Sequence, residues 1–213
     1  MTRTAEKRID FTNSVVLAGR VCVAAELSHE FCGQRFFTMM ISVPRLSGAV
    51  DILPLTVSEI LSPLTIEEGS RILADGQLRS YRRFDGERNR LCLSVFCKSL
   101  QLVFDENCTS NAVSISGQLL KQPVIRRTPL GRDICDLLVS VPRAFSKSDV
   151  VPVIAWGINA AAAAEFVLGQ EILISGRFQS REYQKKLEDG EAMQRTAYEL
   201  SATELMPVVT GGT

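Results

Sequence analysis

The tetrapeptide "SVPR" stands at Ser42–Arg45 and again at Ser140–Arg143, 98 residues further along a chain of 213. Extended outward at that spacing, the two segments stay in register. Asn13 aligns with Asn111, Val15 with Val113, Gly19 with Gly117 and Gly33 with Gly131, while Asp51 and Pro54 align with Asp149 and Pro152. After a shift of two residues, Gly69 aligns with Gly169, Gly76 with Gly176 and Ser80 with Ser180. The "DGE" at 85–87 then meets a second "DGE" at 189–191, after four more inserted residues. Chance does not hold glycines, prolines and a tetrapeptide in one frame for this long. The chain is an internal duplication whose period is that of a domain, not the roughly 20–50 residues of a solenoid unit.

The copies set the boundaries: a loose N-terminus at 1–12, copy one at 13–103, a short polar linker at 104–110, copy two at 111–208 and a tail at 209–213. Within each copy the pattern is strand-rich. "SVVLAGRVCV" and "AVSISGQLL" carry a glycine where a strand bends or bulges. "RFFTMMISV" and "DICDLLVSV" follow, then "DILPLTV" and "DVVPVIAW". "NAAAAAEFVL" reads as a helix, with Asn159 as its cap and Gly169 as its stop. "EILISGRFQSREY" and "RTAYELSATELMPV" flank a turn containing Asp-Gly. Three strands, a helix and two strands is the order of an oligonucleotide-binding (OB) fold. The expected fold class is therefore all-β with short helices: two tandem five-stranded OB-fold barrels.

Composition narrows the function. Lys and Arg total 24 and Asp and Glu total 24, so the whole surface is not a trap for polyanions, although a local basic groove remains open. No apolar run approaches the roughly 18–20 residues of a membrane span, and the first residues have no signal-peptide core, so a cytoplasmic, nucleoid-associated protein is expected. The 6 cysteines form no C-x-x-C pair and His29 is the only histidine. Clustered metal ligands are missing, and no metal or cofactor is expected. One histidine builds no nucleophile–base pair, and there is no phosphate-cradling G-x-x-x-x-G-K-[ST] loop. An enzyme is not expected.

The fourth strand of copy two carries the functional signal. Ile172, Ile174, Gly176 and Phe178 alternate with Arg177, Gln179, Arg181, Tyr183 and Lys185, so one face packs and the other carries cations and a tyrosine. In copy one Ala74, Gly76 and Leu78 alternate with Arg79, Tyr81 and Arg83. Cations neutralise phosphates and release counterions, while rings stack on unpaired bases, at roughly 1–3 kcal/mol per base. Parity sets Val151, Val153 and Ala155 on one side of the third strand and Trp156 on the other, which predicts an exposed Trp156. Arg126, Arg127 and Lys147 fall in loop-like stretches beside these strands. Arg45 and Arg143 enter the loops beside the same proposed path.

"RRTPLGRDICDLLVSVPR", "VVPVIAWG", "GQEILISGRFQSREYQ" and "RTAYELSA" together make copy two resemble the bacterial single-stranded DNA-binding protein family. The resemblance implies an OB fold that wraps single-stranded DNA, with Trp156 in the position of a stacking aromatic before the glycine that closes the third strand. Tyr183, following Arg181, matches a second aromatic, and Phe145 a third. Copy one departs from this pattern: Ser58 stands where copy two has Trp156, and Arg83 where it has Tyr183. Its expected share is phosphate contact and weaker stacking, or assembly. Tandem members of the family act as dimers, which implies a homodimer presenting four folds. Members commonly finish in an acidic tail, and "LMPVVTGGT" does not match one. The expected activity is sequence-tolerant coating of single strands in replication, recombination or mobile-element transfer. The competing expectation is a primosomal-type interaction protein that bridges replication proteins and binds DNA weakly.

Overall fold

Alternation of apolar and polar residues drives most of the described residues into strands. In the computed structural model, residues 12–84, 86, 89–186 and 192–208 are described, with backbone alone at 185, 186 and 192. The first copy forms β1 (Asn13–Phe31), β2 (Gln34–Pro44), β3 (Val50–Ser58), β4 (Arg71–Phe84) and β5 (Asn89–Leu102). The second forms β6 (Ser110–Leu119), β7 (Val124–Arg127), β8 (Asp133–Arg143), β9 (Lys147–Trp156), α1 (Ile158–Ala164), β10 (Glu171–Lys186) and β11 (Ala192–Pro207).

Each copy closes on itself. In copy one the hydrogen-bonded order runs β1, β2, β3, β5, β4 and back to β1; in copy two it runs β6, β8, β9, β11, β10 and back to β6. The ring is completed by short parallel pairings, β3 with β5 at Leu55 and Thr56, and β9 with β11 at Leu200–Ala202. These are five-stranded OB barrels, in which the first part of β1 and of β6 keeps one edge open. Closure explains the aligned glycines of the first strands. A Cβ on Gly19 would lie 2.5 Å from the carbonyl oxygen of Ser42, and one on Gly117 would lie 2.2 Å from that of Ser140. The serines that open the two "SVPR" segments thus press against the only residue type that admits them.

The barrels are joined edge to edge. β1 pairs antiparallel with β6, and Val15 stands opposite Val113. These are the equivalent residues of the duplication, so a pseudo-twofold axis passes through that pair. The seam is isologous: what copy one gives to copy two, copy two returns. Asp51, fully buried, accepts the Ser180 N–H at 2.7 Å, and Asp149, fully buried, accepts the Ser80 N–H at 2.7 Å. The N–H groups of Ile52 and Val150 donate to the hydroxyls of Ser180 and Ser80 at 3.1 and 2.8 Å. The outer half of each β4–β5 or β10–β11 ribbon therefore lies over the third strand of the other copy.

Buried carboxylates require cations. Arg45 grips Asp51 with Nε at 2.8 Å and Nη2 at 2.5 Å, and gives Nη2 to the Ser180 carbonyl at 2.8 Å. Asp149 is served differently, by Arg79 at 2.9 Å and Arg143 at 3.4 Å. Arg45, Arg143 and Arg79, expected beside a DNA path, neutralise the carboxylates of the seam. Arg177 also sits there, donating to the Pro44 carbonyl at 3.3 Å.

Some local expectations change. Arg126 and Arg127 belong to a strand, β7, paired with β8, rather than to a loop. Lys147 opens β9 opposite Arg143. The helix of copy two is short and begins after Gly157; the Asn159 side chain donates to the Thr203 carbonyl at 2.9 Å instead of capping. Copy one replaces that helix with two 3-10 turns, Glu59–Leu61 and Pro63–Thr65. Of the matched "DGE" turns, Asp85, Glu87 and residues 189–191 lie outside the described residues. The linker is tied down, because Glu106 pairs with Arg20 at 2.6 Å and with Arg71 at 3.4 Å.

Candidate nucleic-acid interface

On β9 the inward positions Val151, Val153 and Ala155 are buried, and Trp156 is 40% exposed at the strand end. Parity placed it correctly. Pro152 and Ile154 precede it on the outer face and line a cleft of about 1250 Å³ between the two barrels. From copy one, Pro54, the counterpart of Pro152, lines it together with the β2 residues Thr38 and Met40. The outer faces of both barrels thus open into one shared cleft astride the pseudo-twofold.

The two ribbons supply its charge. Tyr81, Arg83 and Arg90 come from β4 and β5, and Arg181, Tyr183 and Arg195 from β10 and β11. Tyr183 is half-buried, and Arg90 Nη2 donates to its hydroxyl at 3.2 Å, linking the two copies. The Arg181 guanidinium carbon lies 5.9 Å from the Tyr183 ring centroid, within cation–π range. Arg126 completes the set from β7, held by Asp136, whose hydrogen bond raises the guanidinium pKa further above its ordinary value.

Among the described residues, five arginines line the cleft against two carboxylates, Asp136 and Glu199, in a chain of zero formal charge. The basic groove is local, as composition had left open. Glu199 is 9% exposed, and its Oε2 lies 3.8 Å from Arg181 Nε. Burial pushes its carboxyl above the ordinary range, while Arg181 pulls it back. Tyr198 packs against the fully buried Phe178 at 5.8 Å between centroids, and burial raises its phenol as well.

The remaining expected residues scatter. Phe145 is 94% exposed in the turn between β8 and β9, at a φ of 61°. Arg127 points away to Asp133 at 3.4 Å. Lys185 lies in β10 opposite Met193, and its side chain is outside the described residues. The structure therefore brings together Tyr183, Arg181, Arg126, Tyr81 and Arg83 in the cleft, leaves Trp156 outside its lining at the end of β9, and sets Arg45, Arg143, Arg79 and Arg177 in the seam.

Sequence reasoning passed over Arg90, Arg195, Tyr198 and Glu199. A signal for two of them existed. In an antiparallel hairpin, residues directly opposite share a face, and Arg195 stands across from Tyr183 and Arg90 across from Arg83. Among the described residues, no group of three or more His, Cys, Asp or Glu side chains is placed to hold a metal ion. All six cysteines are free, and burial pushes the Cys97 thiol up to about 12. No helix of the described residues is long and apolar enough to cross a membrane.

Known proteins share this architecture. The wild-type single-stranded DNA binding protein of Thermus aquaticus superposes with a TM-score of 0.76 at 20% identity, over 96% of this chain and 97% of its own. A deletion mutant of that protein gives 0.73 at 20% identity, over 95% and 97%. The N-terminal domain of PriB from Thermoanaerobacter tencongensis, described as dimeric, is 39% identical over 44% of this chain and 98% of its own, with a TM-score of 0.39. No curated protein sequence matches the chain. Residues 110–207 match the model of the Single-strand binding protein family. The match covers the second copy, and it is in that half that the chain is similar to the single-strand binding protein family.

Proposed function

We propose that this protein coats single-stranded DNA without catalysis and with little regard to sequence, the strand lying in the cleft between the barrels and over Trp156. The observation that carries the reading is the convergence of both outer faces on one arginine-lined cleft with Tyr81 and Tyr183 in its walls. Arginine fixes phosphates, and the rings take up unstacked bases of any identity. Arg45, Arg143, Arg79 and Arg177 are left out of the proposed binding set, because they already satisfy buried groups of the seam. Phe145 and Lys185 extend the path at its margins.

Titration with a poly-thymidine oligonucleotide tests this. Trp156 fluorescence should be quenched, and log K should fall linearly as log salt rises, as counterion release requires. Trp156→Ala and Tyr183→Ala should each weaken binding by about 1–3 kcal/mol. Because Trp156 is 40% exposed, its loss should leave thermal stability nearly unchanged. If Trp156→Ala instead unfolds the protein and spares affinity, the reading fails.

Replication, recombination or mobile-element transfer is the proposed setting, in the cytoplasm and as a homodimer presenting four barrels. A second reading, a bridging protein that binds DNA weakly, is favoured by the zero net charge. It would become the better account if micromolar protein gave no band shift at low salt while binding replication proteins.

A further inference from the structure

At the end of the third strand the copies part company. In copy two, Trp156 stands across the ladder from Ile134. In copy one, Ser58 stands across from Phe36, so the ring has moved to the neighbouring strand. Ser58 itself is occupied, accepting from Gln34 Nε2 at 2.7 Å and from the Ile60 N–H at 3.2 Å.

Phe36 faces outward. On β2 the buried core positions are Phe37, Met39, Ile41 and Val43, so parity sets Phe36 with Thr38 and Met40 on the outside of the barrel. It is nevertheless only 7% exposed, because other rings cover it. His29, across the β1–β2 ladder, stacks on it with centroids 5.0 Å apart and planes 12° from parallel. Phe96 closes the other side at 5.9 Å and 41°. His29 is exposed. In copy two the residue across from Ile134 is Arg126, a cation rather than a ring.

We propose that His29, Phe36 and Phe96 form a second base-stacking platform, through which copy one takes a nucleobase of the same single strand. The occupant follows from continuity. Thr38 and Met40, the next outward residues of β2, line the cleft. A strand leaving the cleft along copy one meets Phe36 and His29 next, as one leaving along copy two meets Trp156. The ring has moved between the copies: copy two stacks from the third strand and charges its hairpin, while copy one, with Ser58 on the third strand, stacks from its hairpin. The inference rests on the proposed coating of single strands and adds where copy one grips.

Full-length chain and a fluorescein-labelled poly-thymidine oligonucleotide long enough to span both copies provide the test. His29→Ala should weaken binding roughly 5–150-fold, the range for removing one stacked base. Combining Trp156→Phe with His29→Trp should preserve affinity and move the tryptophan fluorescence to copy one, where saturating oligonucleotide quenches it. Suppose that wild-type protein binds, His29→Ala binds equally well, and the fluorescence of the double variant is indifferent to oligonucleotide. The platform is then refuted and the coating function stands. If wild-type protein binds no oligonucleotide, the coating function itself falls, and the platform with it.

Discussion

Glu199 concentrates the electrostatics of the cleft in one side chain. Its carboxyl is raised first by burial, with Asp136 acting in the same sense, and Arg181, Arg126 and Arg45 oppose. A group raised in the folded state contributes stability that is complete below its unfolded pKa and disappears as pH rises through the folded one. At neutral pH, Glu199→Gln should therefore leave the protein no less stable in urea. It also removes an anion from the proposed DNA path and releases Arg181 from its carboxylate. Affinity for poly-thymidine should rise roughly 3–10-fold at pH 7. Wild-type affinity should climb toward the variant's as acidification protonates Glu199, earlier than for an ordinary carboxylate because its carboxyl is raised, and a variant as pH-sensitive as wild type would contradict the assignment.

Arg45 makes the opposite case at the same scale. Arg45→Met would leave the fully buried Asp51 carboxylate without its cation. Breaking a buried pair costs about 3–5 kcal/mol, and the lower end applies because the Arg45 side chain is 28% exposed. Denaturant unfolding should register about 3 kcal/mol, while the salt slope of DNA binding stays at the wild-type value. A reduced slope with unchanged stability would return Arg45 to the DNA path.

At the level of elements, the barrel depends on points where strands nearly touch. Gly117→Ala would drive a Cβ to 2.2 Å from the Ser140 carbonyl oxygen, a backbone atom that cannot step aside. We expect about 3 kcal/mol lost on thermal or chemical unfolding. Gly131 has open space around it and a φ of +76°, so Gly131→Ala should cost only the left-handed strain, about 1 kcal/mol. Equal losses at the two sites would mean that β6 does not close against β8 as described.

The elements also mark where the sequence was readable. Period-two alternation placed the strands and the outward face of Trp156, because parity is a local property of a pleated chain. Aligned glycines showed a bend, although not what they pressed against. The roles of Arg45, Arg79 and Arg143 were illegible because their partners, Asp51 and Asp149, serve as acceptors for residues of the other copy. A charge on an alternating strand looks the same whether it awaits a phosphate or holds a buried carboxylate. The Asn159 cap failed for a related reason: the carbonyl of Thr203, far along the chain, offered its side chain a better partner.

For the whole molecule, the joined edges matter more than the connector. The β1–β6 ladder, the two buried aspartates and the crossed ribbons link the barrels independently of residues 104–110. Cleavage at an inserted protease site near Asn107 should therefore leave the halves co-eluting at the mass of the intact chain in size-exclusion chromatography. Separation into two folded halves would show the seam to be weaker than its bonds imply.

The axis through Val15 and Val113 has one more consequence. A nucleic acid strand has a direction, 5′ to 3′, and a twofold reverses directions. A single strand passing straight through the cleft must run one way across copy one and the opposite way across copy two. Two identical grips would then receive the same backbone in opposite senses, and at least one would fit it poorly. Stacking from the third strand in one half and from the hairpin in the other is a way for a duplicated molecule to hold a polar thread.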